Sequence, residues 1–282
     1  MREIFEFRVV EDFADRLFSA DEGKKLGSGM IRLIKMSGED PRLPRVGELR
    51  KVIRRESGKT FFHGWEILRK YTKSEFEAAQ LLQLKITAVF EPAGEERGTK
   101  YDESAACPRC GAGAKQLGPL ILDVKRIPKG KDIAKTIAGE IVVSRRVVEV
   151  FERHGVTGVA LSPVRMSAAS SAESKDWFQL SVQSADAEIV APTRVGIDPF
   201  DEDASGECRC PLGDLLGLNL LSEVTIRATT RGDADFVSTR QFIGVRRGLL
   251  RPERVILISP KVWKLIESEK LKGVEVEIAR LA

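Results

Sequence analysis

The sequence predicts an α/β (α+β) protein: two pseudo-repeated strand–helix–strand modules stapled by a four-cysteine site, plus an N-terminal mixed α/β region. Two observations carry the modules. Residues 141–164 (IVVSRRVVEVFERHGVTGVALSPV) and 256–279 (ILISPKVWKLIESEKLKGVEVEIA) align without a gap at a constant offset of 115, with identities at Ile141/Ile256, Ser144/Ser259, Val147/Val262, Glu152/Glu267, Gly158/Gly273 and Val159/Val274. The chain also has 4 cysteines, and they fall in two pairs, Cys107/Cys110 and Cys208/Cys210. A third observation, the mixture of alternating and helical apolar spacing before residue 100, predicts the N-terminal region.

The N-terminal region reads as follows. Ile4–Val10 is a strand and Glu11–Phe18 a short helix. Asp21–Gly29 is a charged turn, and Met30–Met36 alternates apolar and basic residues as a half-buried strand does. Pro41 and Pro44 interrupt the chain before a short helix over Val46–Arg54. Trp65–Leu82 carries apolar residues near helical spacing and is expected to be a helix. Leu84–Phe90 returns to strand, and Glu91–Ala106 reads as a polar linker.

Each copy of the repeat has one physical reading. A short apolar strand ends at a serine, which caps a helix of about ten residues. Pro260 suits the first helical position, where a missing N–H costs nothing. Val147, Val150 and Phe151 form the inner face of one helix, and Val262, Leu265 and Ile266 that of the other. Gly158 or Gly273 then turns the chain into a second strand. Between the copies, Met166–Ser174 reads as a solvated loop, Trp177–Val182 and Ser222–Thr229 as strands, and the acidic run Asp198–Glu207 as a solvated loop without the spacing of a calcium loop. The expected divisions are 1–100, 101–165 and 166–282.

Each cysteine pair sits in a turn rich in Gly and Pro: Cys107-Pro-Arg-Cys110-Gly111 and Cys208-Arg-Cys210-Pro211-Leu-Gly213. Four thiolates from two tight turns suit a closed tetrahedral Zn²⁺ site of structural type. Cys107, Cys110, Cys208 and Cys210 are therefore the expected ligands, with iron the other metal such a set accepts. Unligated thiols, a redox pair and disulfides remain as alternatives. Glycines at 111, 113 and 118 argue against the helix that follows a thioredoxin-type pair.

The chain has 282 residues, 42% hydrophobic and 31% charged, with a net charge of +4. That charge is too small to imply nucleic acid by itself. The opening MREIFEF lacks the apolar core of an export signal, and no stretch approaches a membrane span, so a reducing cytoplasm is expected.

Catalytic machinery is sparse. The chain has 2 histidines. His154 ends the repeated helix, where it suits the helix dipole. His63, with Glu66 and Lys59, is the set for an enzyme reading. Ser57-Gly58-Lys59-Thr60 imitates a phosphate loop, but Ile53 stands where the opening glycine belongs. Lys125, Arg126, Lys129, Lys131, Arg145 and Arg146 invite a nucleic-acid-binding zinc-ribbon reading, yet Asp123, Asp132, Glu140, Glu149 and Glu152 are interleaved with them.

The stretch CPRCGAGAKQLGPLILDVKRIPKGKDIA, followed by EIVVSRRVVEVFERHGVTGVALSPV, resembles the double-CXXCG motif proteins abundant in myxobacteria. The resemblance covers residues 107–165 and extends more loosely over 177–279. It implies that Cys107 and Cys110 match one cysteine pair of that family. Some members are immunity proteins that protect a cell from a toxin passed between kin. The resemblance thus implies a non-enzymatic protein whose partner is another protein, a cognate toxin. The second pair departs from the motif, being Cys-x-Cys followed by Pro211, and residues 1–100 match no named family.

Overall fold

Strands hold 38% of the chain and helices 19%, so sheets rather than helix packing build the cores of this α+β protein. The computed structural model describes residues 1–169 and 171–282. The chain divides into two units, Met1–Ala78 with Gly196–Glu202, and Ala79–Val195 with Asp203–Ala282.

The first unit is built on β1 (Arg2–Val10), whose alternate residues Phe5, Phe7 and Val9 are buried. A single helical turn, α1 (Glu11–Ala14), leads to β2 (Lys24–Leu26) and β3 (Ile31–Ser37). Helix α2 (Leu43–Ser57) accepts Pro44 in its first turn, so that proline starts the helix instead of breaking the chain. It buries Val46, Leu49 and Ile53 and stops at Gly58, whose φ of +68° ends the helix in left-handed geometry. Then come β4 (Phe62–Lys70) and α3 (Lys73–Ala78). The sheet order is β2-β3-β1-β4.

Of the helix expected over Trp65–Leu82, only α3 (Lys73–Ala78) forms. Trp65–Lys70 lies in β4, paired antiparallel with β1 from Arg2↔Lys70 to Val9↔Phe62. Apolar residues at 65, 67 and 68 fit either period, and the vacant edge of β1 selects the strand. The later segment Gly196–Glu202 completes this unit. Its Phe200 ring lies 5.7 Å from Phe7 and packs over Gly47, where a Cβ would come within 2.7 Å of the ring. Asp198, expected in a solvated loop, is buried and ion-paired with Arg50.

The second unit begins with β5 (Leu81–Ile86) and β6 (Val89–Phe90). The supposed linker holds α4 (Gly94–Arg97) and β7 (Lys100–Asp102), with Ala93 and Thr99 buried. After β8 (Lys115–Leu117) the first repeat runs through β9 (Ile133–Thr136), β10 (Ile141–Ser144), α5 (Arg145–Arg153), β11 (Val159–Arg165) and β12 (Glu173–Val182). Met166–Ala169 forms the expected loop, Ser170 lies outside the described residues, and Ser174 is buried in β12.

Beyond β13 (Val195–Asp198) and β14 (Asp201–Glu202) come β15 (Leu215–Leu216), β16 (Asn219–Leu220) and β17 (Thr225–Ile226). Of the strand expected over Ser222–Thr229, only β17 forms. The second repeat follows as β18 (Phe236–Gly244), β19 (Glu253–Ile258), α6 (Pro260–Ser268) and β20 (Val274–Leu281).

The two larger sheets are β11-β12-β10-β9-β6 and β15-β18-β19-β5-β20-β17, beside the smaller β14-β13-β16 and β7-β8. They share one plan: β9, β10, β12 and β11 in the first correspond to β18, β19, β5 and β20 in the second. In each, the strand after the glycine is separated from the strand before the helix by one inserted strand. The first sheet takes that strand from its own hairpin, β12. The second takes β5, from far upstream. This is why the chain does not divide at residues 100 and 165 as the sequence suggested: β5 pairs with both β19 and β20. Each sheet has its own apolar core. Phe90, Leu122, Val142 and Val164 belong to one, and Leu81, Val237, Leu257 and Ala279 to the other.

The modules interlock reciprocally. Asp132, just before β9, accepts from its own module's Ser144 hydroxyl at 3.2 Å and from the Lys272 N–H of the other module at 3.0 Å. Asp235, just before β18, accepts from Ser259 at 2.7 Å and from the Thr157 N–H at 3.1 Å. The N–H of Ile133 donates to Lys272, and that of Phe236 to Thr157. Each carboxylate thus ties a helix start in one module to the turn before the glycine in the other.

The serines divide accordingly. Both have the extended backbone of an N-cap, but only Ser259 accepts from its helix, from the Val262 N–H at 3.4 Å. Ser144 gives its hydroxyl to Asp132 and makes no side-chain cap bond. We expect Ser259→Ala to destabilise by about 1–2 kcal/mol, since it loses a cap and a bond to a carboxylate together. Ser144→Ala should cost less, and urea unfolding of the two variants checks the order.

Candidate metal centre

The antiparallel pair β7–β8 carries the first cysteine turn at its open end, with Asp102↔Lys115 as its last rung. Within the turn, the Cys107 N–H donates to Ala112 at 2.7 Å and the Gly111 N–H to Cys107 at 2.8 Å. The Ala112 N–H points at Cys110 Sγ, 3.4 Å away. Gly111 has φ +76°, and a Cβ there would lie 2.5 Å from the Cβ of Arg246. Only glycine permits that approach. It lets the Arg246 N–H donate to the Cys110 carbonyl at 2.8 Å, while the Arg246 guanidinium pairs with Glu103.

The second turn is a tighter hairpin. The Leu216 N–H donates to Cys208, the Cys210 N–H to Asp214, and the Gly213 N–H to Cys210. β15 then joins β18 in parallel, Leu215 opposite Ile243. The two turns therefore meet because both are anchored to β18 or the residues just after it.

Cys107, Cys110 and Cys210 are buried, and their sulfurs all lie within 4.8 Å of one another. In a tetrahedral zinc–thiolate site with bonds near 2.3 Å, sulfurs stand about 3.8 Å apart. The three sulfurs are thus placed to hold a metal ion. Cys208, the fourth residue expected from the sequence, is exposed and lies outside this group. Its N–H is held by the Asp203 carboxylate at 3.2 Å. No cysteine is in a disulfide, so the disulfide alternative is not what the structure contains.

Asp214 borders the cluster and was not anticipated. It is buried, and its Oδ2 accepts from the thiols of Cys110 at 3.4 Å and Cys210 at 3.3 Å. Its Oδ1 accepts from the Phe242 N–H at 2.9 Å. A signal was present in the sequence. Cys210-Pro211-Leu212-Gly213 repeats Cys107-Pro108-Arg109-Cys110 with glycine in place of the last cysteine, and a carboxylate follows at once.

The electrostatics divide the sulfurs. Backbone N–H groups of Cys110 and Arg109 draw the Cys107 thiol below its usual value. Burial pushes the Cys110 thiol up to about 12. A cation among the sulfurs reverses that second effect, because a metal-bound thiol is deprotonated outright.

The residues of the enzyme reading are brought together only in part: Lys59 and His63 border one cavity, and Glu66 does not line it. His63 and Glu66 are both exposed on β4, and the register with β1 shifts at His63, where the strand carries an extra residue. Lys59 and His63 line the cavity with Val10, Arg54, Gly58 and Thr60. His154 is exposed at the end of α5. In the groove over β5 and β19, Lys85 pairs with Glu277, Lys135 with Glu253, and Arg251 with Glu95 and Glu103, while Arg254 donates to the carbonyls of Ala185, Thr239 and Arg240. No helix among the described residues is long and apolar enough to cross a membrane. No family model matches the chain, and no curated protein matches it.

Proposed function

We propose that this is a non-enzymatic, zinc-stapled protein of the cytoplasm that acts by binding another protein, and that its partner is a toxin it neutralises. The observation that carries the first half is the burial of Cys107, Cys110 and Cys210 at the meeting of two turns about a hundred residues apart. A buried thiolate set suits a structural ion, since a catalytic one needs an open position for water or substrate. Thiolate sulfur favours zinc among the common divalent ions. The pairing of Lys85, Lys135 and Arg251 with carboxylates in the groove over β5 and β19 favours protein binding over a phosphate track.

The class of partner rests on the resemblance of residues 107–165 to double-CXXCG immunity proteins. Co-expression with the product of the adjacent gene tests it. Co-purification together with rescue of growth is the expected result. A purified protein that binds no neighbouring product, turns over a small molecule and loses that activity on His63→Ala with its fold intact would replace this reading with an enzyme. Tight binding to nucleic acid with a steep salt dependence would replace it with the zinc-ribbon reading.

A further inference from the structure

We infer that the fourth ligand of the metal is the carboxylate of Asp214, and that Cys208 is a free, solvent-accessible thiol outside the coordination shell. The inference deepens the zinc reading above and rests on it.

Three observations carry it. First, position: on the hairpin, Cys210 and Asp214 are directly bonded through the backbone, the Cys210 N–H donating to the Asp214 carbonyl at 3.1 Å. Their side chains therefore leave the same rung, toward the cluster. Second, distance: Oδ2 stands 3.4 and 3.3 Å from the sulfurs of Cys110 and Cys210. A tetrahedral site with Zn–S near 2.3 Å and Zn–O near 2.0 Å has sulfur–oxygen edges of about 3.5 Å. Two edges of the polyhedron are already drawn. The mutually close set comprises the three sulfurs alone, so seating an ion draws Oδ2 inward from the edges it shares with Cys110 and Cys210.

Third, restraint: Asp214 is buried and its Oδ1 is fixed by the Phe242 N–H at 2.9 Å, so Oδ2 is the oxygen left facing the sulfurs. A buried carboxylate has to be paired with a cation or with hydrogen-bond donors, and an ion seated among the three sulfurs supplies that charge. Arg254, stacked on the Phe242 ring with its guanidinium carbon 4.1 Å from the centroid, adds positive charge near the same carboxylate. Cys208 has none of these features. It is exposed, and its N–H is held by the Asp203 carboxylate.

The test uses the full chain loaded with zinc or cobalt. In the native protein, one thiol should react with a disulfide reagent without releasing metal, and Cys208→Ser should abolish that reaction while keeping one equivalent of zinc. The sulfur-to-cobalt charge-transfer band should be unchanged in Cys208→Ser and rise by about one third in Asp214→Cys, the ratio of four thiolates to three. Asp214→Asn should lose metal at a chelator concentration that Cys208→Ser withstands. Should Asp214→Asn fail to fold, the Cys208→Ser and Asp214→Cys spectra decide the question alone. Loss of metal or a weaker band in Cys208→Ser would overturn the inference and leave the zinc reading standing. Wild-type protein that binds neither zinc nor cobalt would overturn the zinc reading itself.

Discussion

Cys110→Ser is expected to release the metal and lower the melting temperature by about 10 °C, the shift that about 4 kcal/mol produces in a domain of this size. Cys110 is the sulfur for which the largest effect is expected. It is fully buried, its carbonyl accepts the Arg246 N–H, and its own thiol sits between Cys107, Cys210 and Asp214. Serine there leaves a smaller, harder donor that holds zinc poorly. It also leaves two buried thiols and a carboxylate without a cation. Metal content and thermal unfolding measured on the same sample check both halves. Chelator treatment of the wild type should reproduce the shift, because the energy of binding a structural ion is folding energy. Melting that is unchanged after complete metal removal would show that the cluster is not a staple.

Gly273→Ala is expected to cost on the order of 4 kcal/mol or more, the upper range for a single substitution. Gly273 has φ +112°, and a Cβ built there lies 1.9 Å from the carbonyl oxygen of Ile133. The obstacle is backbone, the first residue of β9, and it cannot swing aside as a side chain would. Relief requires β9 to leave the Lys272 turn, which breaks the Asp132 and Ile133 bonds to Lys272 at once. Gly158 stands in the equivalent place, with its Cβ 2.1 Å from the Phe236 carbonyl oxygen, and Gly158→Ala should behave alike. Gly155 is the control: its φ is +55° with nothing within 4 Å of an added Cβ. Gly155→Ala should cost only about 1 kcal/mol of left-handed strain. Urea denaturation of the three variants distinguishes a clash between modules from strain alone.

The repeated glycines also mark what the sequence could express. Gly158 and Gly273 align in the two copies, as do Ser144 and Ser259. In the structure each glycine admits the first residue of the other module's leading strand. The strand, helix and turn of each copy were legible because they depend on local spacing and on backbone angles a few residues carry within themselves. The same holds for the first cysteine turn, whose Pro, Gly and paired sulfurs are contiguous. Where an apolar run was short, the period did not decide. Trp65–Lys70 became a strand because β1 offered an edge, and Glu91–Ala106 became ordered because Ala93 and Thr99 found burial.

What the sequence determined by itself was the α+β class, two strand–helix–strand units with their turns and glycines, and the pairing of the cysteines in two turns. The tertiary structure decided the rest. It placed β5, from residues 81–86, between β19 and β20, although nothing in those six residues names a partner more than 160 positions away. It set Asp132 and Asp235 across the two modules, and it turned Asp214 toward the sulfurs and Cys208 toward solvent. The physical reason is the same in each case. Local geometry is written in neighbouring residues, whereas which strand fills a gap, and which side chain a buried cluster admits, depends on surfaces that exist only once distant segments have closed on one another.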